Sequence, residues 1–377
     1  MSGNTKILSP VESFGAAVGS YRLRSNTNLV ESFQDSDVSK YFDFSSNKAG
    51  RLKARSGMFE FKQRTGFSTM AMGKNEYERE AILVCRGTDN GKDWLSDINV
   101  GMQVSRSGHI VHAGFNRNFD QLIDPIFRFM SLNHPTMIHC IGHSLGGALA
   151  NLAAESIVRH GCKAKLYTFG APRVGTLDFA TRLSLHPRLG GENIFRVYHS
   201  SDPVSMLPLF PFVHAPQPGG EYYMNKLLTI NPWDHKLPAY TQSLKNVKNW
   251  DQISNPHPCL DAQIKQWVDS DLTLRYCGLN GFNLGMAMKS IQLLIKETLT
   301  EGWNGVSAIA SGSATILDQL SLAVSKAGKI SKPKEGMAMN ILTRILKTLS
   351  WNIRPDLDCL GLSGITESRL NISINNL

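Results

Sequence analysis

Residues 141–148, Ile141-Gly142-His143-Ser144-Leu145-Gly146-Gly147-Ala148, constrain this chain more than any other stretch. An apolar run precedes them, Met137-Ile138-His139-Cys140-Ile141, and helix formers follow, Ala148-Leu149-Ala150-Asn151-Leu152-Ala153-Ala154. That order predicts a strand, a tight turn and a helix, with Gly-x-Ser-x-Gly at the turn. A serine hydroxyl is a weak nucleophile until it is held exposed beside a base. Glycines flank it because a sharp strand-to-helix turn strains the serine backbone and leaves no room for neighbouring side chains. The N–H of Leu145 then opens the helix, where the macrodipole favours negative charge, and is a candidate oxyanion donor. Gly-x-Ser-x-Gly alone also occurs in plain Gly/Ser loops; the strand before and the helix after favour a nucleophile.

The flanking sequence repeats the strand–helix alternation. Met58-Phe59-Glu60-Phe61, Phe67-Ser68-Thr69-Met70-Ala71-Met72 and Ala81-Ile82-Leu83-Val84-Cys85 read as edge strands leading to a buried one. Residues 117–132 carry apolar side chains at helical spacing, and residues 145–160 and 177–185 also read as helices. Residues 163–169 and 194–199 read as further strands, and 221–230 as another. Such alternation predicts an α/β fold with a mainly parallel central sheet. Thr88 lies just past the strand ending at Cys85, where a second oxyanion donor is needed. His109 and His112 enter no base–nucleophile arrangement and read as structural.

The acid and the base come from later in the chain. Asp202 stands just beyond the carboxyl end of the strand at 194–199, where α/β sheets present functional side chains, although Asp-Pro turns are common in their own right. In α/β serine hydrolases the order is serine, acid, histidine. Three histidines follow Asp202: His214 in a Pro-rich stretch, His257 between two prolines, and His235 ahead of a helical pattern. His235 is favoured, since it leaves room for a strand between acid and base; the other two stay open.

At 377 residues with 42% apolar content, the chain is long enough for one large α/β domain with an appendage. Its net charge of +9 suits anionic surfaces, although a merely solvated basic surface is the plainer reading. No nucleic-acid-binding module is present in the sequence pattern, so no nucleic-acid partner is expected. The six cysteines lack metal-like spacing and read as reduced, with a Cys259–Cys277 pairing left open. No ordinary secretory signal or membrane-spanning stretch is legible. The expectation is a protein made in the cytoplasm and, if it acts outside, exported by a non-classical, contact-dependent route.

Together these stretches resemble the class 3 lipases, the α/β-hydrolases typified by fungal triacylglycerol lipases and plant acyl-hydrolases. The resemblance is carried by Cys85-Arg86-Gly87-Thr88 with Asp93-Trp94-Leu95-Ser96-Asp97, Val111-His112-Ala113-Gly114-Phe115, and Gly142-His143-Ser144-Leu145-Gly146-Gly147. It continues through Tyr167-Thr168-Phe169-Gly170-Ala171-Pro172-Arg173-Val174-Gly175, Val197-Tyr198-His199-Ser200-Ser201-Asp202-Pro203-Val204, and Asp234-His235-Lys236-Leu237-Pro238-Ala239-Tyr240. It implies an α/β-hydrolase fold, the catalytic residues Ser144, Asp202 and His235, and oxyanion donors at Thr88 and Leu145. It also implies a lid at residues 89–98 carrying Trp94; a fixed amphipathic helix there is the equal alternative. Cys85 departs from the family, where many members carry an aromatic residue.

The expected organisation is a polar N-terminal segment at 1–56, a catalytic α/β-hydrolase domain at 57–279 and a helical C-terminal extension at 280–377. The extension has no counterpart in the motif set. Its helical patterns suit packing on the domain first, and a membrane interface second. The expected activity is hydrolysis of lipid carboxylic esters, phospholipid foremost, at a membrane surface and with no metal or organic cofactor. Triglyceride or small-ester hydrolysis and non-catalytic lipid binding are the alternatives. Secretion machinery or an immunity protein are the further partners expected if the protein is an exported effector.

Overall fold

The computed structural model describes residues 6–23, 28–45, 50–53, 67–87, 101–199, 201–208, 212–216, 220–224 and 231–253. In chain order the elements begin with helices α1 (Pro10–Arg22) and α2 (Leu29–Phe33) and strands β1 (Gly50–Lys53), β2 (Phe67–Met72) and β3 (Glu80–Cys85). A hairpin of β4 (Met102–Val104) and β5 (Ile110–His112) follows, then helices α3 (Ala113–Asp120) and α4 (Ile123–Asn133). The remaining elements are β6 (Met137–His143), α5 (Leu145–Arg159), β7 (Lys163–Phe169), α6 (Leu177–Leu185), β8 (Ile194–His199), β9 (Tyr222–Met224) and α7 (Leu237–Leu244).

Among the described residues the main sheet has seven strands in the order β1-β2-β3-β6-β7-β8-β9. The β1–β2 and β2–β3 pairings are antiparallel, and all pairings from β3 to β9 are parallel. This is the mainly parallel α/β sheet that the strand–helix alternation predicts, in the α/β-hydrolase arrangement that the resemblance implies. The central strands are covered on both faces, and their residues alternate between two apolar cores. Leu83, Cys140, Leu166 and Ile194 join the core beneath α3 to α6. Ile82, Val84, Ile141, Tyr167, Phe169 and Phe195 join the other, with α1, α2 and α7.

The N-terminal segment differs most from its sequence reading. Residues 1–56 read as polar, yet Leu8, Phe14, Ala16, Ala17, Phe33, Val38, Phe42 and Phe44 are buried in the second core. Fully burying a side chain such as Phe contributes about 1.5–3 kcal/mol, so the described residues of this segment are part of the folded body that carries the site. Ser9 caps α1 in a reciprocal capping box with Glu12, and Pro10 occupies the first turn. Gly19 permits close approach of α2: a Cβ there would lie 2.6 Å from a Phe33 ring carbon.

The single helix expected at 117–132 is two, Ala113–Asp120 and Ile123–Asn133. Pro125 lies in the first turn of α4; it cannot donate to the Gln121 carbonyl, and its ring would clash there, so α3 ends first. The start moves to 113 because His112 caps α3, its Nδ1 accepting from the Phe115 N–H at 3.4 Å. His109 instead bonds Asp178 at 2.9 Å. Cys85, Cys140 and Cys162 are free and buried. The strand expected at 58–61, the remaining cysteines and the C-terminal extension lie outside the described residues, and β9 is the described part of the strand expected at 221–230.

Candidate active site

The carboxyl ends of the parallel strands gather the site. At the end of β6, Ser144 adopts φ 58° and ψ −134°, a strained conformation for a residue other than glycine. Its neighbours show why the turn needs glycines. A Cβ on Gly142 would stand 2.1 Å from the Gly146 carbonyl oxygen, and one on Gly146 would stand 2.2 Å from the Cys85 carbonyl oxygen. Those contacts bring the start of α5 against the end of β3, which leads toward Thr88. The strain is held in place by the Ser144 N–H, which donates to the Phe169 carbonyl at 3.0 Å.

The imidazole of His235 reaches Ser144. Its Nε2 lies 2.8 Å from the Ser144 Oγ, and its Nδ1 lies 2.9 Å from the Asp202 Oδ2. With Nδ1–H donated to the carboxylate, Nε2 is left to accept the serine hydroxyl, which is the tautomer a general base requires. Asp202 is wholly buried. Its Oδ2 also accepts from the Tyr240 hydroxyl at 2.8 Å, and its Oδ1 accepts from the Val204 N–H at 2.8 Å. Burial by itself would push this carboxyl up. The His235 imidazole, with the Tyr240 hydroxyl and the Val204 N–H, outweighs it and holds the pKa below the ordinary carboxylate value.

Gly170 makes this crossing possible. It has φ 53°, and a Cβ there would lie 2.6 Å from the Asp202 Oδ2 and 2.8 Å from the Tyr240 hydroxyl. The adjacent carboxylate, Asp234, accepts from the Ser201 hydroxyl, so Asp202 is the acid that meets the imidazole. The Asp234 carbonyl accepts from His199 Nδ1–H at 2.7 Å, which ties the histidine-bearing turn to the end of β8.

A second histidine supports the first from behind. His143 is buried, its ring stacked on that of His235 with centroids 4.9 Å apart. Its Nε2–H donates to the His235 carbonyl at 2.8 Å, and its Nδ1 accepts from the Tyr21 hydroxyl at 2.9 Å. Burial, with the nearby His235, depresses its pKa to about 3, so His143 is neutral at working pH and each nitrogen has a fixed role. Tyr21 brings α1 to the site.

The three histidines left open in the sequence thus separate. His235 joins Ser144 and Asp202, whereas His214 donates to the Ser205 carbonyl at 2.7 Å. His257 lies outside the described residues, as do Thr88 and the expected lid with Trp94. Leu145 is the first residue of α5, so its N–H has no acceptor within the helix and opens beside the serine. Sequence reasoning assigned no part to Tyr21, His143, His199 or Tyr240. Tyr240 stood within the last matching motif, and His143 within the serine turn; nothing local marked Tyr21.

A strained serine, an imidazole and a buried carboxylate at the carboxyl ends of a parallel sheet define a serine-hydrolase triad on an α/β-hydrolase scaffold. Residues 82–212 match the family described as Lipase (class 3). The match contains Ser144 and Asp202, and His235 lies beyond its end. The chain is similar to a secreted mono- and diacylglycerol lipase 1 from Fusarium solani, 33% identical over 155 residues, covering 39% of this chain and 44% of that one. It is also similar to Phospholipase A1-II 1 of Oryza sativa subsp. indica, 28% identical, with 36% and 42% covered. The chain thus spans less than half the length of these relatives. A lipase from Rhizopus microsporus var. chinensis resembles it in structure with a TM-score of 0.42 and 20% identity, covering 57% of this chain and 73% of that one.

Proposed function

We propose that this protein hydrolyses carboxylic esters of lipids through an acyl-enzyme on Ser144. The observation that carries the reading is the 2.8 Å contact between His235 Nε2 and the Ser144 Oγ, with Asp202 at the other nitrogen. His235 takes the hydroxyl proton as the serine oxygen attacks the ester carbonyl. The tetrahedral oxyanion accepts from the Leu145 N–H and, by resemblance, from Thr88. The C–O bond to the alcohol breaks as His235 returns its proton to the leaving oxygen. Water then attacks the acyl-enzyme, gives a proton to His235, and the carboxylic acid departs as Ser144 is reprotonated.

Phospholipid is the substrate we favour, as a phospholipase A-type activity. A net charge of +9 draws the chain to anionic bilayers, and a plant phospholipase A1 is among its relatives. Mono- and diacylglycerol esters are the competing class, supported by the fungal relatives. Release of fatty acid from phosphatidylglycerol vesicles, compared with tributyrin and nitrophenyl esters, separates them. Activity on vesicles no greater than on the neutral esters would remove the phospholipid preference. The basic surface also motivates our proposal that the protein is an exported effector of lipid membranes. Growth of a bacterial cell unharmed by periplasmic expression would count against that role.

A further inference from the structure

Among the described residues, the most exposed large apolar side chains are Leu132, Leu185 and Trp233. Leu132 and Leu185, exposed by 73% and 71%, end α4 and α6, the helices that lead into β6 and β8. They therefore stand toward the amino ends of the parallel strands, away from the triad. Trp233 is exposed by 68% and lies two residues before His235. Its backbone is fixed: its N–H donates to the Asn231 side chain at 3.1 Å, and its carbonyl accepts from the Lys236 N–H at 3.1 Å. Lys236 Nζ stands 3.9 Å above the centre of the indole ring. Pro232 and Pro238 beside them are also exposed.

An indole ring on a fixed backbone, carrying an ammonium on its face, has the chemistry of a membrane–water interface. The ring body enters the acyl boundary while its N–H and the lysine meet headgroup oxygens. An anionic headgroup complements Lys236, and the net charge of +9 adds longer-range attraction. We propose that the turn Pro232–His235 with Lys236 is a docking edge that seats the rim of the active site on an anionic phospholipid surface. The inference rests on the lipid-ester reading and deepens it, since the turn that delivers the catalytic imidazole would also set the distance from the bilayer to Ser144.

The test is co-sedimentation of the full chain, made inactive by Ser144→Ala, with vesicles of phosphatidylglycerol and phosphatidylcholine or of phosphatidylcholine alone. The expected result is binding to the anionic vesicles that falls about tenfold on adding Trp233→Ala, with Trp233→Phe retaining part of it. Lys236→Glu should remove the preference for phosphatidylglycerol, and Leu132→Ala should bind like its parent. An unchanged thermal midpoint in Trp233→Ala shows that the fold is intact. Equal binding with and without Trp233, or an equal loss in Leu132→Ala, overturns the proposal. Hydrolysis of dissolved esters by the wild-type chain is scored separately. Hydrolysis without vesicle binding overturns the docking edge alone, and Trp233-dependent binding without hydrolysis overturns the catalytic reading alone.

Discussion

Tyr240→Phe tests whether the buried carboxylate depends on its second side-chain donor. The substitution removes one 2.8 Å hydrogen bond to the Asp202 Oδ2 and deprives the His199 N–H of its acceptor at 3.2 Å. A hydrogen bond to a buried charged group contributes about 1.5–3 kcal/mol, and its loss lets the Asp202 pKa rise. Because the folded-state pKa of Asp202 is depressed, its contribution is present above the ordinary carboxylate value and is lost as pH falls through the folded value. The substitution raises the folded value, so the loss begins at higher pH. Urea denaturation at pH 7.5 should show a loss of about 1.5–3 kcal/mol. On a dissolved short-chain ester, kcat/KM should fall about tenfold, since a less firmly held carboxylate stabilises the imidazolium less. Stability within about 0.5 kcal/mol of wild type, together with kcat/KM within about twofold, would refute the reasoning.

Three further outcomes follow from the same geometry. Gly146→Ala places a Cβ against the Cys85 carbonyl oxygen at 2.2 Å, a backbone atom that cannot swing aside, and should cost more than about 3 kcal/mol or prevent soluble folding, as read by denaturation. Tyr21→Phe leaves the buried His143 Nδ1 without the tyrosine donor and should cost about 1–3 kcal/mol in urea denaturation, lowering kcat more than it changes KM. His143 is held neutral to a pKa of about 3, below the unfolded value near 6.5, so the unfolded chain binds the proton more readily and stability falls as pH drops below about 6.5. Denaturation at pH 7.5 and at pH 5 should differ by about 2 kcal/mol from this group alone, and a flat profile would contradict it.

The elements nearest the serine were legible because their signals are local. β6, the elbow and α5 announce themselves by an apolar run, a glycine turn and helix formers in sequence. α6 and β8 follow from apolar periodicity in the same way. The place of α1 in the core was not legible. Its buried face includes Ser13, Ala16, Ala17, Gly19 and Ser20, small residues that give no strong apolar stripe, and its partners are far away in the chain. Tyr21 was hidden for the same reason. The choice among His214, His235 and His257 could not be closed by periodicity, because the base arrives on a short turn whose position depends on contacts to β8. Those contacts, from Asp234 to His199 and Ser201, exist only in three dimensions.

Fatty acid release from phospholipid vesicles and from a neutral ester, by the wild-type chain beside Ser144→Ala and His235→Ala, tests the central claim most directly. Hydrolysis by the wild type, lost in both variants by at least about a thousandfold, is the result the triad geometry predicts. Activity that persists in Ser144→Ala, or a wild-type chain inert on both esters, would contradict it.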